Sequence, residues 1–399
     1  MAEYDILQVA AALGLTFLNN RNSVNVPVVC PFCGDKRGKM SLRKEKKGVP
    51  ANVFHCWHCG EAGTMYQLYA RLHGIEPSHG REALDRFMAS GNFASLPTVP
   101  EKNIRSSGAQ IASADIRDNT YRTMLSMLGL KERDRSDLLR RGLTTEHISE
   151  GMFATTPKDN IGICRKLLNS GCRLEGVPGF YLNRSKEWAL NVYPACDGYF
   201  CPVLQDGKVL GCQIRVADPA DGNKYIWLSS SGKDRGCSSG TPSSFLGEPD
   251  SDTVIVTEGI LKAYVAYCLQ DVSIIGVPGV SSIGDVERIL RKHDHKLVCE
   301  GYDMEKRENC ICRMDYNPEK CAKCMEQDYL YYDNGWCMKK AERRNKLQKA
   351  IEQLRNNVEK CGLPMRHYFW ELDENGLWNG KNKGIDDEFL FRKKSMGEE

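Results

Sequence analysis

No stretch of the 399 residues approaches the uninterrupted apolar length that spanning a bilayer requires, so no membrane contact is expected. Nor does the N-terminus, MAEYDILQVAAALGLTF, carry the basic start of a secretory signal. It holds acids there, and its apolar run is broken by polar residues, which reads as an amphipathic helix. A cytoplasmic location is the expectation. With 41% apolar and 27% charged residues the composition has neither a fibrous nor a disordered signature, and no internal repeat is present. Charge of one sign is also scarce: a net +3 says little about partners, so the distribution of charge has to carry that question. A phosphate-binding Gly-Lys-Ser loop is missing, since the nearest approach, GDKRGKMS, has the wrong spacing; a fused helicase is excluded. Cysteine, by contrast, is abundant. Eighteen of them in a chain without a secretory signal read as metal ligands more readily than as disulfides.

The spacing sharpens that reading. Cys30 and Cys33, then Cys56 and Cys59, form two Cys-x-x-Cys pairs separated by twenty-two residues, the arrangement of a closed tetrahedral zinc site with each pair on a tight knuckle. His55 and His58 flank the second pair, but four thiolates already fill the tetrahedron. A closed site leaves no position for water, so this zinc is structural. Between the pairs, Lys36 to Lys47 contains seven Lys and Arg, Lys44 among them, a surface suited to phosphates, with Phe54 and Trp57 nearby to stack on unpaired bases. A second zinc is expected at Cys312, Cys321, Cys324 and Cys337, with Cys310 as an alternate ligand, because five cysteines fall within twenty-eight residues.

The chain divides into a zinc-binding segment at 1–90, a linker at 91–114 rich in Ser, Pro, Gly and Asn, an α+β segment at 115–250, and an α/β segment at 251–392 carrying a Cys-rich insertion at about 306–340. YFCPVLQDGKVLGCQIRVAD reads as a hairpin around Asp206-Gly207. From Asp252, apolar strands alternate with helices: TVIVTEG, ILKAYVAYCLQ, VSIIGVPG, VERILRKH, KLVCEGYDM, a long helix over about 340–361, and MRHYFWEL. The fold class is therefore α/β, a parallel sheet with helices on both faces beside a small α+β zinc module. Ligands of such sheets bind at the carboxyl ends of the strands. Glu258 ends one strand, Asp303 and Glu305 follow another, and Asp386 with Asp387 follows the last. Oxygen donors gathered there suit magnesium or manganese, which keep waters that phosphates can replace.

Glu-Gly after an apolar strand, an acid-x-acid pair after a later one, and the closing Lys-x-x-Asp-Asp resemble the Toprim domain of bacterial primases, type IA and II topoisomerases and related nucleases. CPF with the later CWHCGEAG resembles the zinc-binding domain of DnaG-type primases. GCQIRVADPADGNKYIWLSSSGKDRG is similar to the basic segment preceding Toprim in those primases, and the three occur in the family's order. The resemblance implies that Arg215, Lys224 and Lys233 contact template and incoming nucleotide. It further implies a DNA primase that makes short RNA primers on single-stranded DNA from nucleoside triphosphates, a nucleotidyltransferase with catalytic Glu258, Asp303, Glu305 and Asp386.

The departures are specific. Cys33 stands where the family has His, Lys262 where it has Asp, Glu305 where it has a second Asp, and Gly384 where it has an acid. The expectation is one divalent ion held by Glu258, Asp303 and Glu305, with Asp386 assisting and Lys262 placed beside the nucleotide. The expectation is a chain without the family's helicase-docking domain after Phe391, similar to the short primases of phages and mobile elements with a separate helicase. Two other readings remain: a Toprim-type metal-dependent nuclease, and a non-catalytic protein that binds single-stranded nucleic acid.

Overall fold

The computed structural model describes residues 4–18, 25–46, 49–90, 109–193, 196–219, 224–280, 282–311 and 337–397. They pack as two compact units, one drawn from Met1–Ile111, Leu174–Asn191 and Ser229–Ser238, the other from Ala112–Arg173, Val192–Leu228 and Ser239–Glu399. Most of the expected linker, 91–108, lies outside the described residues.

In the first unit, helix α1 (Ile6–Ala12) begins at Asp5, whose carboxylate accepts from Leu7 and Gln8 while the Gln8 side chain accepts from the Asp5 backbone N–H. Strands β1 (Val26–Val28), β2 (Met40–Lys46), β3 (Val49–Cys56) and β4 (Ala62–Thr64) form an antiparallel sheet in that order. Helix α2 (Met65–His73) is capped by Thr64 and stopped by left-handed Gly74, and α3 (Gly80–Ser90) follows. Ile6, Val9, Leu42, Phe54, Leu68 and Leu84 are all buried in one core.

The second unit starts with helices α4 (Ala114–Ser126), α5 (Glu132–Arg140) and α6 (Thr145–Glu150), short strand β5 (Ala154–Thr155) and helix α7 (Asn160–Asn169). The hairpin β6 (Phe180–Leu182) and β7 (Trp188–Leu190) belongs to the first unit. The second unit then continues with β8 (Gly198–Gln205), β9 (Lys208–Val216), β10 (Tyr225–Trp227), β11 (Ser244–Leu246), β12 (Thr253–Glu258), helix α8 (Ile260–Gln270), β13 (Ile274–Val277), helix α9 (Val286–Lys292), β14 (Leu297–Glu300), helix α10 (Met338–Lys360), β15 (Met365–His367) and helix α11 (Ile385–Ser395).

Its strands make one sheet in the order β10-β9-β8-β11-β13-β12-β14-β15, with β5 on β8. The β8–β9 turn consists of Asp206 and Gly207, both at positive φ, the two-residue geometry whose twist matches the flanking strands. β13, β12, β14 and β15 are parallel, and β11 joins them to the antiparallel part, pairing antiparallel with β13 and parallel with β8. The four central residues of β12 are buried, as a strand covered on both faces requires. One face packs on α8 and α11, the other on α9 and α10. The α10 stripe Leu347, Ile351, Leu354 and Val358 is buried. Because Leu354 is fully buried, Leu354→Ala is expected to lower unfolding free energy by about 2–5 kcal/mol in urea titrations.

Candidate active site and metal centre

The first unit builds a thiolate centre from two equivalent knuckles. In each, the Gly that follows the second cysteine (Gly34 or Gly60) sits at positive φ and donates its N–H to the first cysteine's carbonyl, Cys30 or Cys56, at 2.9 Å. Only glycine takes that conformation without strain, and it curls both sulfurs of a pair to one side. The β2–β3 pairing sets Met40 opposite Cys56, and Trp57 N–H donates to Lys39, which fixes the second knuckle. The four sulfurs lie within 4.8 Å of one another, with Cys30–Cys59 at 3.8 Å and Cys33–Cys56 at 3.9 Å. Thiolates around tetrahedral zinc stand about 3.8 Å apart, so the donors fit that ion. The imidazole of His58 lies 3.4 Å from the Cys33 sulfur, a neighbour of a ligand. Phe54 corrects an expectation. It is buried against Phe32 and cannot stack on a base, whereas Trp57 is 71% exposed with its ring edge-on to His55. Lys44 is exposed on β2. Lys233, also in this unit, places its ammonium 4.5 Å from the centre of the Tyr181 ring.

The second unit brings the acids to one sheet edge. Glu258 ends β12, and the adjacent β14 delivers Asp303 three residues past Glu300, which itself pairs with Val256. Asp386 enters from the first turn of α11. Burial raises the Glu258 pKa, Asp303 adds to the rise and Lys262 opposes it. Asp303 is bonded by the Lys262 ammonium and lies 3.6 Å from that of Lys383; Glu305 pairs with Lys383 at 2.8 Å and faces Arg343 at 3.5 Å. The three acids therefore do not stand as a ready three-ligand cage. Among the described residues, the cysteines are the group of three or more such donors gathered within 4.8 Å. Lys262, expected beside the nucleotide, is the ion-pair partner of Asp303, with its side chain 21% exposed. Burial would depress its ammonium, and Asp303 and Asp386 outweigh that and hold its pKa above the ordinary range.

Asp386 is 6% exposed, and its Oδ1 is buried with no hydrogen-bond partner. An orphaned carboxylate oxygen beside further carboxylates is the donor chemistry of a hard dication, so magnesium or manganese fits this edge. Burial first, then Asp387, pushes the Asp386 pKa up to about 6 against the pull of Lys262 and Arg141. The folded chain then binds more protons here than the unfolded chain, so this group's contribution is favourable below about pH 4 and is lost as pH rises to about 6, on the order of 3 kcal/mol. Metal-free Asp386→Asn is expected to lack that decline in thermal melts across this window.

Arg141 is a residue the sequence reading missed. Its guanidinium lies 3.5 Å from both Asp386 and Asp137, beside a cavity of about 290 Å3 lined by Arg140, Arg141, Asp386, Asp387 and Leu390. Arg215 lies on β9, donates to Asp137 at 2.8 Å and sits 5.6 Å from the Tyr225 ring centre. Burial raises Asp137, but hydrogen bonds from Arg215, Tyr199 and Arg140 outweigh it and hold the carboxyl below its usual range. Lys224 is exposed, its carbonyl accepting from Val216. Of the second cysteine group, Cys312, Cys321 and Cys324 lie outside the described residues. Cys310 and Cys337 are adjacent through a backbone hydrogen bond of 2.6 Å, which closes the base of the insertion.

Fold and sites define a mixed α/β protein with a four-cysteine metal module and a parallel sheet whose carboxyl edge carries acids and paired cations. No protein-family model matches the chain. Over 144 residues, 35% of the chain, it is 26% identical to a DNA primase of Enterococcus faecalis, of whose length it covers 22%. In structure it is similar to the zinc-binding and RNA polymerase domains of the Aquifex aeolicus primase, with a TM-score of 0.46 and 14% identity over 99% of this chain and 82% of that one. It is also similar to the E. coli primase catalytic core, at 0.35 and 14% over 66% and 87%. The chain is thus similar to DNA primases in sequence, while spanning about a fifth of that curated relative.

Proposed function

We propose that the protein is a DNA primase that joins ribonucleotides into short primers on single-stranded DNA. The observation that carries this reading is the meeting of Glu258, Asp303 and Asp386 with Lys262, Lys383 and Arg141 at the carboxyl edge of a parallel sheet. Phosphoryl chemistry at such an edge is mostly positioning and charge stabilisation. Glu258, Asp303 and Glu305 would hold magnesium or manganese once Lys262 and Lys383 yield their carboxylates, and Asp386 would assist. When bound, the metal supplies acidification of the attacking 3′-hydroxyl and neutralisation of phosphate charge. That hydroxyl oxygen bonds to the α-phosphorus of the incoming nucleotide, its proton passes to water, and the bond to the β-phosphate oxygen breaks to release pyrophosphate. Arg141 and Arg215, both oriented by Asp137, hold the triphosphate, and Lys224 and Lys233 contact nucleotide or template. Trp57 and Lys44 hold the single strand on the zinc module, which has no open coordination position for chemistry of its own.

The test is incubation of the purified chain with single-stranded DNA, ribonucleoside triphosphates and either metal. New oligoribonucleotides support the reading. Shortened template in their place would make the protein a nuclease, and binding without turnover, unchanged by Glu258→Ala, a binding protein. A separate replicative helicase is the proposed partner, and the cytoplasm the proposed location. We also assign a second zinc to the Cys-rich insertion, with Cys312, Cys321, Cys324 and Cys337 as ligands: elemental analysis is expected to give two zinc ions per chain, and one for Cys321→Ser/Cys324→Ser.

A further inference from the structure

Arg307 ends the 3-10 turn Met304–Arg307 that follows Asp303, and its backbone is pinned by the Trp378 N–H, which donates to its carbonyl at 2.9 Å. Its guanidinium lies against the Phe369 ring, 4.9 Å from the ring centre. Phe369 in turn stacks on His367, the last residue of β15, with ring centres 5.6 Å apart and planes 21° from parallel. His367 Nε2 lies 2.8 Å from the guanidinium of Arg355 on α10. Arginine can only donate, so Nε2 is the acceptor and the ring proton belongs to Nδ1, which donates to Glu300 at 2.9 Å. His367 adds no charge in that state, and the row Arg307, Phe369, His367, Arg355 carries a guanidinium at each end.

What the row lacks is an anion. Among the described residues neither arginine has a carboxylate partner, and Arg307 Nε is buried without an acceptor. The neighbouring acids are engaged elsewhere: Glu300 with Lys306 and His367, Glu305 with Lys383, and Glu308 with Arg343. Glu352 and Glu359, one turn to either side of Arg355 on α10, are exposed and form no ion pair with it. A guanidinium stacked by its flat face keeps its N–H donors in the plane, aimed outward, the geometry that takes a pair of phosphate oxygens. A free nucleotide would need such donors gathered at one point. These are strung out beside β15, the outermost strand of the sheet, beginning next to the acids that follow β14 and leading away from them. That layout fits a chain of phosphates. We propose that Arg307 and Arg355 hold two backbone phosphates of single-stranded DNA on the outer flank of the sheet, a stretch of strand path in addition to that assigned to Trp57 and Lys44. The inference deepens the primase reading, which supplies the reason for a strand at this edge, but the contact is measured without turnover.

The test is fluorescence anisotropy of labelled oligothymidylate with the full zinc-loaded chain, read between about 50 and 200 mM salt. Each phosphate contact to a single strand contributes about 0.7 to the slope of log affinity against log salt. Arg307→Gln/Arg355→Gln is therefore expected to flatten that slope by about 1.4 and to weaken binding about ten-fold near the middle of the range. Arg307→Lys/Arg355→Lys keeps both charges and is expected to restore the slope. An unchanged slope in the folded glutamine variant, or a slope that lysine fails to restore, overturns the proposal. Should the glutamine pair fail to fold by circular dichroism, Arg355→Gln alone decides, since its amide can still donate to His367: about half the change in slope is expected, and none overturns the proposal. A labelled ribonucleoside triphosphate is titrated alongside. Loss of affinity in that arm with DNA binding intact would assign the arginines to a nucleotide and overturn the strand path. Primer synthesis is scored separately: its absence in wild type removes the primase reading and leaves the DNA contact standing, whereas primers made by wild type beside an unchanged slope in the variant remove the contact alone.

Discussion

Asp303→Asn is expected to reduce primer synthesis by about three orders of magnitude, equivalent to about 4 kcal/mol of transition-state stabilisation. The amide keeps the shape of the side chain and loses its charge. It therefore removes a proposed metal donor and at the same time releases Lys262, whose ammonium then sits among Glu258 and Asp386 without its bonded partner. Stability and activity should separate. Folding is expected to change little beside the rate, because Asp386 and Glu258 still face the lysine. Single-turnover assays with saturating nucleotide, set beside thermal melts of the same variant, measure both. A variant that melts like wild type and extends primers at the wild-type rate would remove Asp303 from the chemistry.

The second large effect concerns a pair beneath the site. Glu300, the last residue of β14, is fully buried and accepts from Lys306 at 2.8 Å, from the Tyr302 backbone N–H at 2.6 Å and from His367 at 2.9 Å. Lys306 is 2% exposed, donates also to the Tyr368 carbonyl and lies within 5.5 Å of the Phe369 and Trp370 ring centres. Burial lowers its pKa against the pull of Glu300. Breaking such a pair from one side leaves a charge with nowhere to go, so Glu300→Ala is expected to cost about 3–5 kcal/mol in urea denaturation. Lys306 belongs to the short 3-10 turn Met304–Arg307 that follows Asp303, and it anchors that turn to the end of β14 and to Tyr368, the residue after β15. Loss of the pair should therefore also weaken manganese binding at the acidic edge. Glu300→Gln, which retains the acceptors without the charge, is expected to recover part of both.

Some of this could be read from letters alone, for identifiable reasons. TVIVTEG gives its direction away: a short apolar run ending in an acid and then Gly is a buried parallel strand with its acid at the carboxyl end. Asp303 follows a similar pattern, three residues past the end of β14. The knuckles were legible because Cys-x-x-Cys followed by Gly encodes its own turn. What escaped was information carried by contact. Arg141 sits just after the end of α5 in a run of charges, and nothing in that spacing separates an arginine facing solvent from one facing Asp386. Glu300 in the middle of KLVCEGYDM gave no sign that Lys306 and His367 would meet it. Phe54 was a parity error that the sequence could have prevented. On β3 it shares a face with Cys56, two residues on, and a residue pointing with a buried ligand points inward as well.

Strand β11 has a practical consequence. Only three residues long, it is hydrogen-bonded on one side to β8 and on the other to β13, so the basic strands and the acidic strands form a single hydrogen-bonded ladder. Severing the chain near residue 250 to obtain a minimal catalytic fragment would strip the bare edge of β13 of its neighbour and leave a row of unmet amides open to foreign chains. Such a fragment should precipitate when expressed alone and become soluble when the missing half is supplied alongside it.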